Sequence, residues 1–184
     1  MNKFTDIFIR YLLMIVIVVP NLFIFYLVFT PITIYSTYLL FSLLAKASLF
    51  GANIFVNNIS FEIINACIAG SAYYLLFILN LSIPDIKIKK RMEMVLFAFS
   101  VFFIINILRI VLLGFLFISN FAFFEITHIT FWYFLSTLFV VGIWFWEVKL
   151  FRIKQIPFYS DFKFIYGKSS LSKNSKNAKR TKKN

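Results

Sequence analysis

The sequence predicts an all-α membrane protein: a bundle of about five transmembrane helices, with a short extracytoplasmic loop or hairpin and a disordered basic C-terminal tail. Composition is the first observation behind this prediction. Of the 184 residues, 61% are hydrophobic and only 14% are charged, whereas soluble domains are roughly 45–50% apolar and about 25% charged. A chain this short cannot enclose so much apolar surface in one core, so we expect the bilayer to solvate most of it.

The distribution of charge is the second observation. The formal net charge is +12, but residues 149–184 contain 11 Lys or Arg and a single acid, Asp161, so the body that precedes them is almost neutral. Such a pattern predicts a membrane domain over residues 1–157 and a disordered cytoplasmic tail over residues 158–184, attracted to anionic lipid. It argues against nucleic acid as a partner, because the positive charge lies in a tail and not on a folded face.

Five apolar stretches approach the roughly 20 residues that a helix needs to cross the hydrocarbon. Pro20 and Asn21 interrupt the first stretch, which a membrane helix can tolerate as a kink. Thr30 and Pro31 separate it from the second stretch, which contains Lys46 near its end. The predicted spans are residues 11–29, 32–50, 63–83, 95–117 and 129–146.

The connectors predict the orientation of these spans. Residues 51–60 read as an extended loop or small hairpin and residues 119–125 as a turn, and neither contains Lys or Arg. The loop at 87–94 is basic, and short basic loops stay in the cytoplasm. Five spans would leave Lys3 and Arg10 outside, which this rule disfavours, whereas a re-entrant second segment would give four spans and an internal N-terminus.

Three reactive or charged residues lie within or at the start of three successive predicted spans: Cys67, Arg109 and His128. Cys67 is the only Cys and His128 the only His of the chain. A single Cys excludes an intramolecular disulfide and a thiolate metal cage, and we predict no cofactor or metal. Ionisable groups inside spans are costly and often functional, and these three fall on successive spans at depths that allow them to meet near the outer surface.

Such a meeting would suit covalent acyl transfer. A neighbouring imidazole favours the thiolate of a Cys, and a fixed Arg can stabilise the oxyanion of a tetrahedral intermediate. Asn106 precedes Arg109 by one helical turn and is predicted to orient the guanidinium or to bind the substrate carbonyl. The alternative for each residue is structural: Cys67 as a small packing residue, His128 as an interfacial residue, and Arg109 as the ion-pair partner of Glu62 or Glu125.

The segment 66–70 (ACIAG), the segment 106–110 (NILRI) and His128 before an aromatic helix resemble, in order and spacing, the archaeosortase/exosortase family of membrane cysteine transpeptidases, in a compact archaeal form. The resemblance covers roughly residues 30–146. It implies an extracytoplasmic site with Cys67 as nucleophile, His128 as its activating base and Arg109 as stabiliser of the intermediate. The family often has Thr or Ser followed by Gly directly after the Cys, whereas Ile68 and Ala69 stand here before Gly70.

The resemblance also implies the substrates and the partners. Members of this family cleave secreted proteins that end in a short motif, a transmembrane helix and a basic cluster, and they transfer the new C-terminus to a lipid or another surface acceptor. Two other functions remain open from the residues alone. One is a small non-enzymatic transporter or assembly subunit in which Arg109 is a binding or structural charge, and the other is a lipid-modifying enzyme that uses His128 without Cys67.

Overall fold

The computed structural model describes residues 3–20, 22–57, 59–153, 161 and 165–166. These residues form mostly helices and one small sheet. The helices are α1 (Lys3–Val18), α2 (Phe23–Leu44), α3 (Asn65–Ile68), α4 (Gly70–Leu81), α5 (Ile88–Ile118), α6 (Phe124–Thr130) and α7 (Ser136–Leu150), and a π-helical turn, Phe131–Leu135, joins the last two. The strands are β1 (Ala47–Phe50), β2 (Asn53–Val56) and β3 (Ile59–Glu62).

Three helices in the described part of the chain are long and apolar enough to cross a membrane. They are α2, α5 and the continuous helix Phe124–Leu150 that α6, the π-helical turn and α7 form together. The segment Asn65–Leu81, which contains α3 and α4, is apolar but shorter. The structure therefore agrees with a helical membrane protein, whereas the count of about five spans is not confirmed.

The boundaries predicted for the first two spans are wrong. Residues 11–29 do not form one helix, because α1 ends at Val18 and Leu22 adopts a left-handed conformation with φ of 60° before α2 begins. Pro31 does not separate two spans either, since it lies inside α2. A membrane helix accommodates an internal proline when neighbouring groups satisfy the freed carbonyl, so the sequence break at Thr30 and Pro31 was misleading.

The second predicted span also ends too late, because residues 47–50 form strand β1. The structure places a three-stranded antiparallel sheet in the order β1-β2-β3 where a loop or small hairpin was predicted. Ile54 and Val56 of β2 are fully buried, and Phe55 between them is exposed. This alternation buries one face of the sheet, which packs with Phe41 of α2 and Ile68 of α3 into one hydrophobic cluster.

The basic loop predicted at residues 87–94 is largely helical, because α5 already begins at Ile88. Arg91 in its first turn is buried and donates hydrogen bonds to the backbone carbonyls of Asn80, Leu81 and Ile83 at 2.7–2.9 Å. The C-terminal carbonyls of a helix lack partners within the helix, so Arg91 caps α4. The charged segment that was predicted to be a loop thus contains a buried side chain, Arg91, that stabilises the end of α4.

Basic residues gather at the end of the bundle opposite the sheet. Arg10 of α1 donates to the same Leu81 carbonyl at 3.0 Å, and Lys90 donates to the carbonyl of Phe151, just after α7, at 2.8 Å. The start of α5 and the ends of α4 and α7 therefore lie together. At the other end, α2 and α5 reach the sheet, where Phe41 contacts Phe115 with ring centroids 5.1 Å apart.

The tail predicted to be disordered lies outside the described residues, apart from Asp161, Ile165 and Tyr166. Asp161 is buried and accepts a hydrogen bond from Arg10 Nη2 at 3.0 Å. The boundary predicted at residue 157 also falls outside the described part of the chain.

Candidate functional site

Cys67, Arg109 and His128 line one pocket of about 310 Å³ beside the sheet. Its walls come from the end of β3, from α3, from the second half of α5 and from α6 with the π-helical turn. The lining is mostly apolar and aromatic, and includes Phe61, Ile64, Leu113, Phe117, Phe124 and Trp132. An apolar cleft with a few convergent polar groups is the usual form of a small binding site.

Cys67 lies on the single turn of α3, which a left-handed residue ends. Ala69 adopts φ 58° and ψ 44° and separates α3 from α4. Tyr26 of α2 packs closely against Gly70, the first residue of α4, where a Cβ atom would lie only 2.9 Å from the Tyr26 ring. Ala69 pays a steric cost for this conformation, and the resulting break lets Cys67 face the pocket while α4 runs on in the core.

Two side chains of α5 hold the backbone of Cys67. Asn106 Nδ2 donates to the Cys67 carbonyl at 2.9 Å, and Arg109 Nη2 donates to the same oxygen at 3.4 Å. Both side chains are buried, with exposed fractions of 1% and 7%. Asn106 therefore lies behind the nucleophile candidate, where it fixes the turn, and it is not among the residues that line this pocket. Its predicted contact with substrate stays a prediction.

Ser136 is the second hydrogen-bond partner of Arg109, and the sequence prediction missed it. Arg109 Nη1 donates to Ser136 Oγ at 2.7 Å, and Ser136 Oγ donates to the carbonyl of Phe131 at 3.0 Å. Phe131 begins the π-helical turn, and such turns are frequent at functional sites. The only sequence feature that could have pointed to Ser136 was a hydroxyl group in an apolar span. This feature is weak evidence, because the neighbouring Thr137 also carries a hydroxyl group.

Arg109 forms no ion pair with Glu62 or Glu125 among the contacts of the described residues. Its guanidinium is bonded instead to a hydroxyl and to a backbone carbonyl, both neutral, and its Nε atom is buried with no hydrogen-bond partner. The structural alternative in which a carboxylate neutralises Arg109 is therefore contradicted. Glu62 does line the pocket, but its side chain is exposed.

His128 lies on α6 and is exposed at the pocket. Its ring stacks on that of Phe124, one turn earlier, with centroids 5.7 Å apart and planes 4° from parallel. Phe124 itself lines the pocket and tilts against Phe117 of α5. The aromatic residues thus orient the imidazole, and no described residue forms a hydrogen bond with its nitrogens, which a bound molecule could reach.

The thiol of Cys67, on the short α3 turn outside the three long helices, is half-buried. Burial raises the pKa of the Cys67 thiol above its ordinary value, and a backbone hydrogen bond at Ile64 and the positive charge of Arg109 lower the pKa by smaller amounts. The resting thiol is therefore protonated at neutral pH. A base in the pocket would have to remove its proton before it could act as a nucleophile.

The described residues contain no group of three or more His, Cys, Asp or Glu side chains that could hold a metal ion.

Comparisons of the whole chain with protein-family models, with curated proteins and with solved structures give no match.

Proposed function

We propose that this protein is a membrane-embedded cysteine transpeptidase or protease. It cleaves the C-terminal sorting signal of secreted proteins through a thioester on Cys67 and transfers the new C-terminus to a lipid or another surface acceptor. The observation that carries this proposal is that Cys67, Arg109 and His128, distant in sequence, line the same apolar pocket. No one of the three would suggest an enzyme by itself.

The charge of Arg109 supports an anionic intermediate. A buried cation is costly unless it is paired, and the described hydrogen-bond partners of Arg109 are neutral, while Nε has none. A pocket with an uncompensated cation in its wall favours negative charge, and the effect is stronger than in water because the surroundings are apolar. Negative charge develops on the carbonyl oxygen when a thiolate attacks a peptide bond.

In the proposed reaction, His128 removes the thiol proton and Cys67 Sγ attacks the scissile carbonyl carbon. The carbonyl electrons move to the oxygen, which Arg109 stabilises. When the intermediate collapses, the C–N bond breaks, His128 gives its proton to the departing amine, and the acyl group remains on sulfur as a thioester. The acceptor nucleophile then attacks the thioester, loses its proton to His128, and frees Cys67.

The two ends of the bundle suit such a reaction. Basic residues near the ends of spans favour the cytoplasmic side of a membrane. In this proposal the end of the bundle around Arg91 therefore faces the cytoplasm, and the opposite end, with the sheet and the pocket, faces the extracytoplasmic side. Arg10 contacts the same carbonyl as Arg91, so it shares the basic end, and an N-terminus near it avoids the charge conflict of a five-span topology. A secreted substrate would present its cleavage motif on the outer side while its helix and basic cluster remain in the membrane and at the inner surface.

The thioester itself provides the test. The protein is purified from its own cells, where clients are present, and the peptide that contains Cys67 is examined by mass spectrometry before and after neutral hydroxylamine, which cleaves thioesters. We expect a fraction of Cys67 to carry an adduct of amino acids that hydroxylamine removes. Arg109→Gln should lower that fraction, because the intermediate loses its stabilising charge.

The absence of an amino-acid adduct from Cys67 in every preparation would contradict the proposal. A fatty acyl adduct in its place would identify a lipid-modified cysteine. Either outcome would favour the non-enzymatic or lipid-modifying alternatives.

A further inference from the structure

Among the described residues, no strand pairs with the outer edge of β3, which therefore presents backbone groups without a sheet partner. In the sheet order β1-β2-β3, β3 pairs with β2 alone. The Ile63 N–H donates to the Ala52 carbonyl at 3.0 Å, and hydrogen-bonded pairs alternate along an antiparallel ladder. The N–H and C=O groups of Phe61 therefore point to β2, and those of Ser60 and Glu62 point away from it.

The other half of the sheet confirms this alternation. The Asn57 N–H donates to the Lys46 carbonyl at 3.3 Å, so alternate residues of β2 serve β1 and β3 in turn. Ser60 and Glu62 are both exposed. In the part of the chain that the structure describes, neither forms a backbone hydrogen bond outside the sheet.

The free edge leads directly into the pocket. Phe61 and Glu62 at the end of β3 line it together with Ile63 and Ile64, and Cys67 follows on the next turn. An exposed strand edge binds an extended peptide by main-chain hydrogen bonds, while pockets select alternate side chains. A peptide paired with this edge would pass its backbone along the mouth of the pocket.

We propose that the cleavage motif of the substrate binds as an added strand on the free edge of β3, pairing with the backbone of Ser60 and Glu62 so that its scissile carbonyl reaches Cys67. This inference rests on the proposed function and names the conformation of its substrate, an extended peptide. Successive side chains of a strand point to opposite faces, so every second residue of the motif enters the pocket. The apolar wall formed by Ile64, Leu113, Phe117 and Trp132 selects an apolar side chain there.

The test uses a defined probe, acetyl-tetra-alanine chloromethyl ketone, and the full chain in detergent micelles. The Cys67 thiolate displaces chloride from the probe, a C–S bond forms, and the thiol proton passes to the buffer. Because His128 in the same pocket can also displace chloride, the labelling of Cys67, the only Cys of the chain, is measured as the mass increase of the intact protein that Cys67→Ala abolishes. Four further probes each carry one N-methylated alanine, which removes one backbone donor at a time.

Added-strand binding predicts a two-residue period in the labelling rates. N-methylation at two alternate alanines should slow labelling about five- to tenfold, the effect of one lost hydrogen bond, and N-methylation at the other two should have little effect. Ser60→Pro removes an edge donor, and edge strands tolerate proline. Ser60→Pro should slow the labelling of Cys67 by the peptide probe. It should not change the labelling rate with chloroacetone, which has the same reactive group without a peptide.

Ala47→Pro is the matched control, because it places a proline at the outer edge of β1, away from the pocket. It should change neither labelling rate.

Equal labelling by all N-methylated probes, with normal chloroacetone labelling, would overturn the added strand and leave the proposed function standing. No labelling of Cys67 by any probe, chloroacetone included, would contradict both. Dissociation of a dimer by Ser60→Pro, with no period in the labelling, would show that the edge binds a second copy, and it too would overturn the inference.

Discussion

A hydrogen bond of 2.9 Å joins the side-chain amide of Asn106 on α5 to the backbone carbonyl of Cys67 on α3. It fastens the one-turn helix that carries the thiol to the longest helix of the described chain. The thiol is thereby positioned through its own backbone, while its sulfur remains available to the pocket. This arrangement has two consequences. The conformation of the α3 turn depends on its contact with α5, and substitutions in α5 behind Cys67 should change the reactivity of the thiol.

Asn106→Leu should loosen the α3 turn. The substitution removes a hydrogen bond worth about 1 kcal/mol, so the turn opens more often and Cys67 should react with iodoacetamide up to about fivefold faster. Asn80→Leu is the control, since Asn80 is equally buried but bonds to Glu147 and Leu76. It should lower the melting temperature and leave alkylation of the folded protein unchanged. Identical alkylation rates in both variants would show that Asn106 does not hold Cys67.

Ser136→Ala should disturb the guanidinium of Arg109. Arg109 Nη1 loses its 2.7 Å partner, and a positioning group of this kind contributes roughly 1–2 kcal/mol, so we expect client processing to fall about five- to thirtyfold with folding retained. Thr137→Ala removes the adjacent hydroxyl, which donates to the backbone carbonyl of Tyr133 and belongs to an exposed residue. Processing by the Thr137 variant should match that of the unmodified protein. Equal losses in the two variants would mean that Ser136 acts only through general stability.

The alkylation rate of Cys67 should depend on pH in a defined direction. Because burial raises the pKa of the Cys67 thiol, the rate in the protein without substrate should still be rising at a pH where an ordinary exposed thiol has reached its plateau. Arg109 lowers this pKa, so Arg109→Gln should shift the profile to higher pH. Rates with a neutral reagent, followed by mass spectrometry from pH 6 to 11, would reveal both effects, and a shift to lower pH in Arg109→Gln would refute the electrostatic contact.

Two glycines should respond with opposite signs to the same substitution. A Cβ atom on Gly114 would lie 2.6 Å from the ring of Phe41, which is fully buried, whereas a Cβ on Gly142 would meet nothing within 4 Å. Gly114→Ala should therefore destabilise the protein by roughly 1–3 kcal/mol through overpacking, and Gly142→Ala should stabilise it by about 0.5–1 kcal/mol because alanine favours the helix. Melting temperatures in one detergent would compare them, and a stabilising Gly114→Ala would contradict the packing of α5 on α2.

Three of the residues that line the pocket could be singled out from the sequence because their chemistry is rare in apolar helices. Cys67, Arg109 and His128 stood out as single reactive groups in predicted spans, and the structure brings them to one pocket. Their catalytic roles stay a prediction. Asn106 was also singled out, but its position behind Cys67 could not be deduced from helical spacing, because that spacing gives a face and not the neighbour that the face meets.

Other features depend on tertiary contacts and were missed. Pro31 reads as a helix break but lies inside α2, and Arg91 reads as part of a loop but caps α4. The π-helical turn that brings Ser136 to Arg109 has no sequence signature. The sheet was anticipated only as a loop or hairpin, because its strands of four residues are too short for a clear alternation.

The most direct measurement is a survey of the C-terminal peptides of surface proteins in the source cells, with the unmodified chain or with Cys67→Ala in its place. Alanine leaves the α3 turn and its backbone hydrogen bonds intact, so the variant should fold and reach the membrane. We expect a set of surface proteins to retain, in the variant only, a C-terminal apolar helix followed by a basic cluster. Identical C-termini in the two strains, with equal amounts of folded protein in their membranes, would contradict a Cys67 nucleophile.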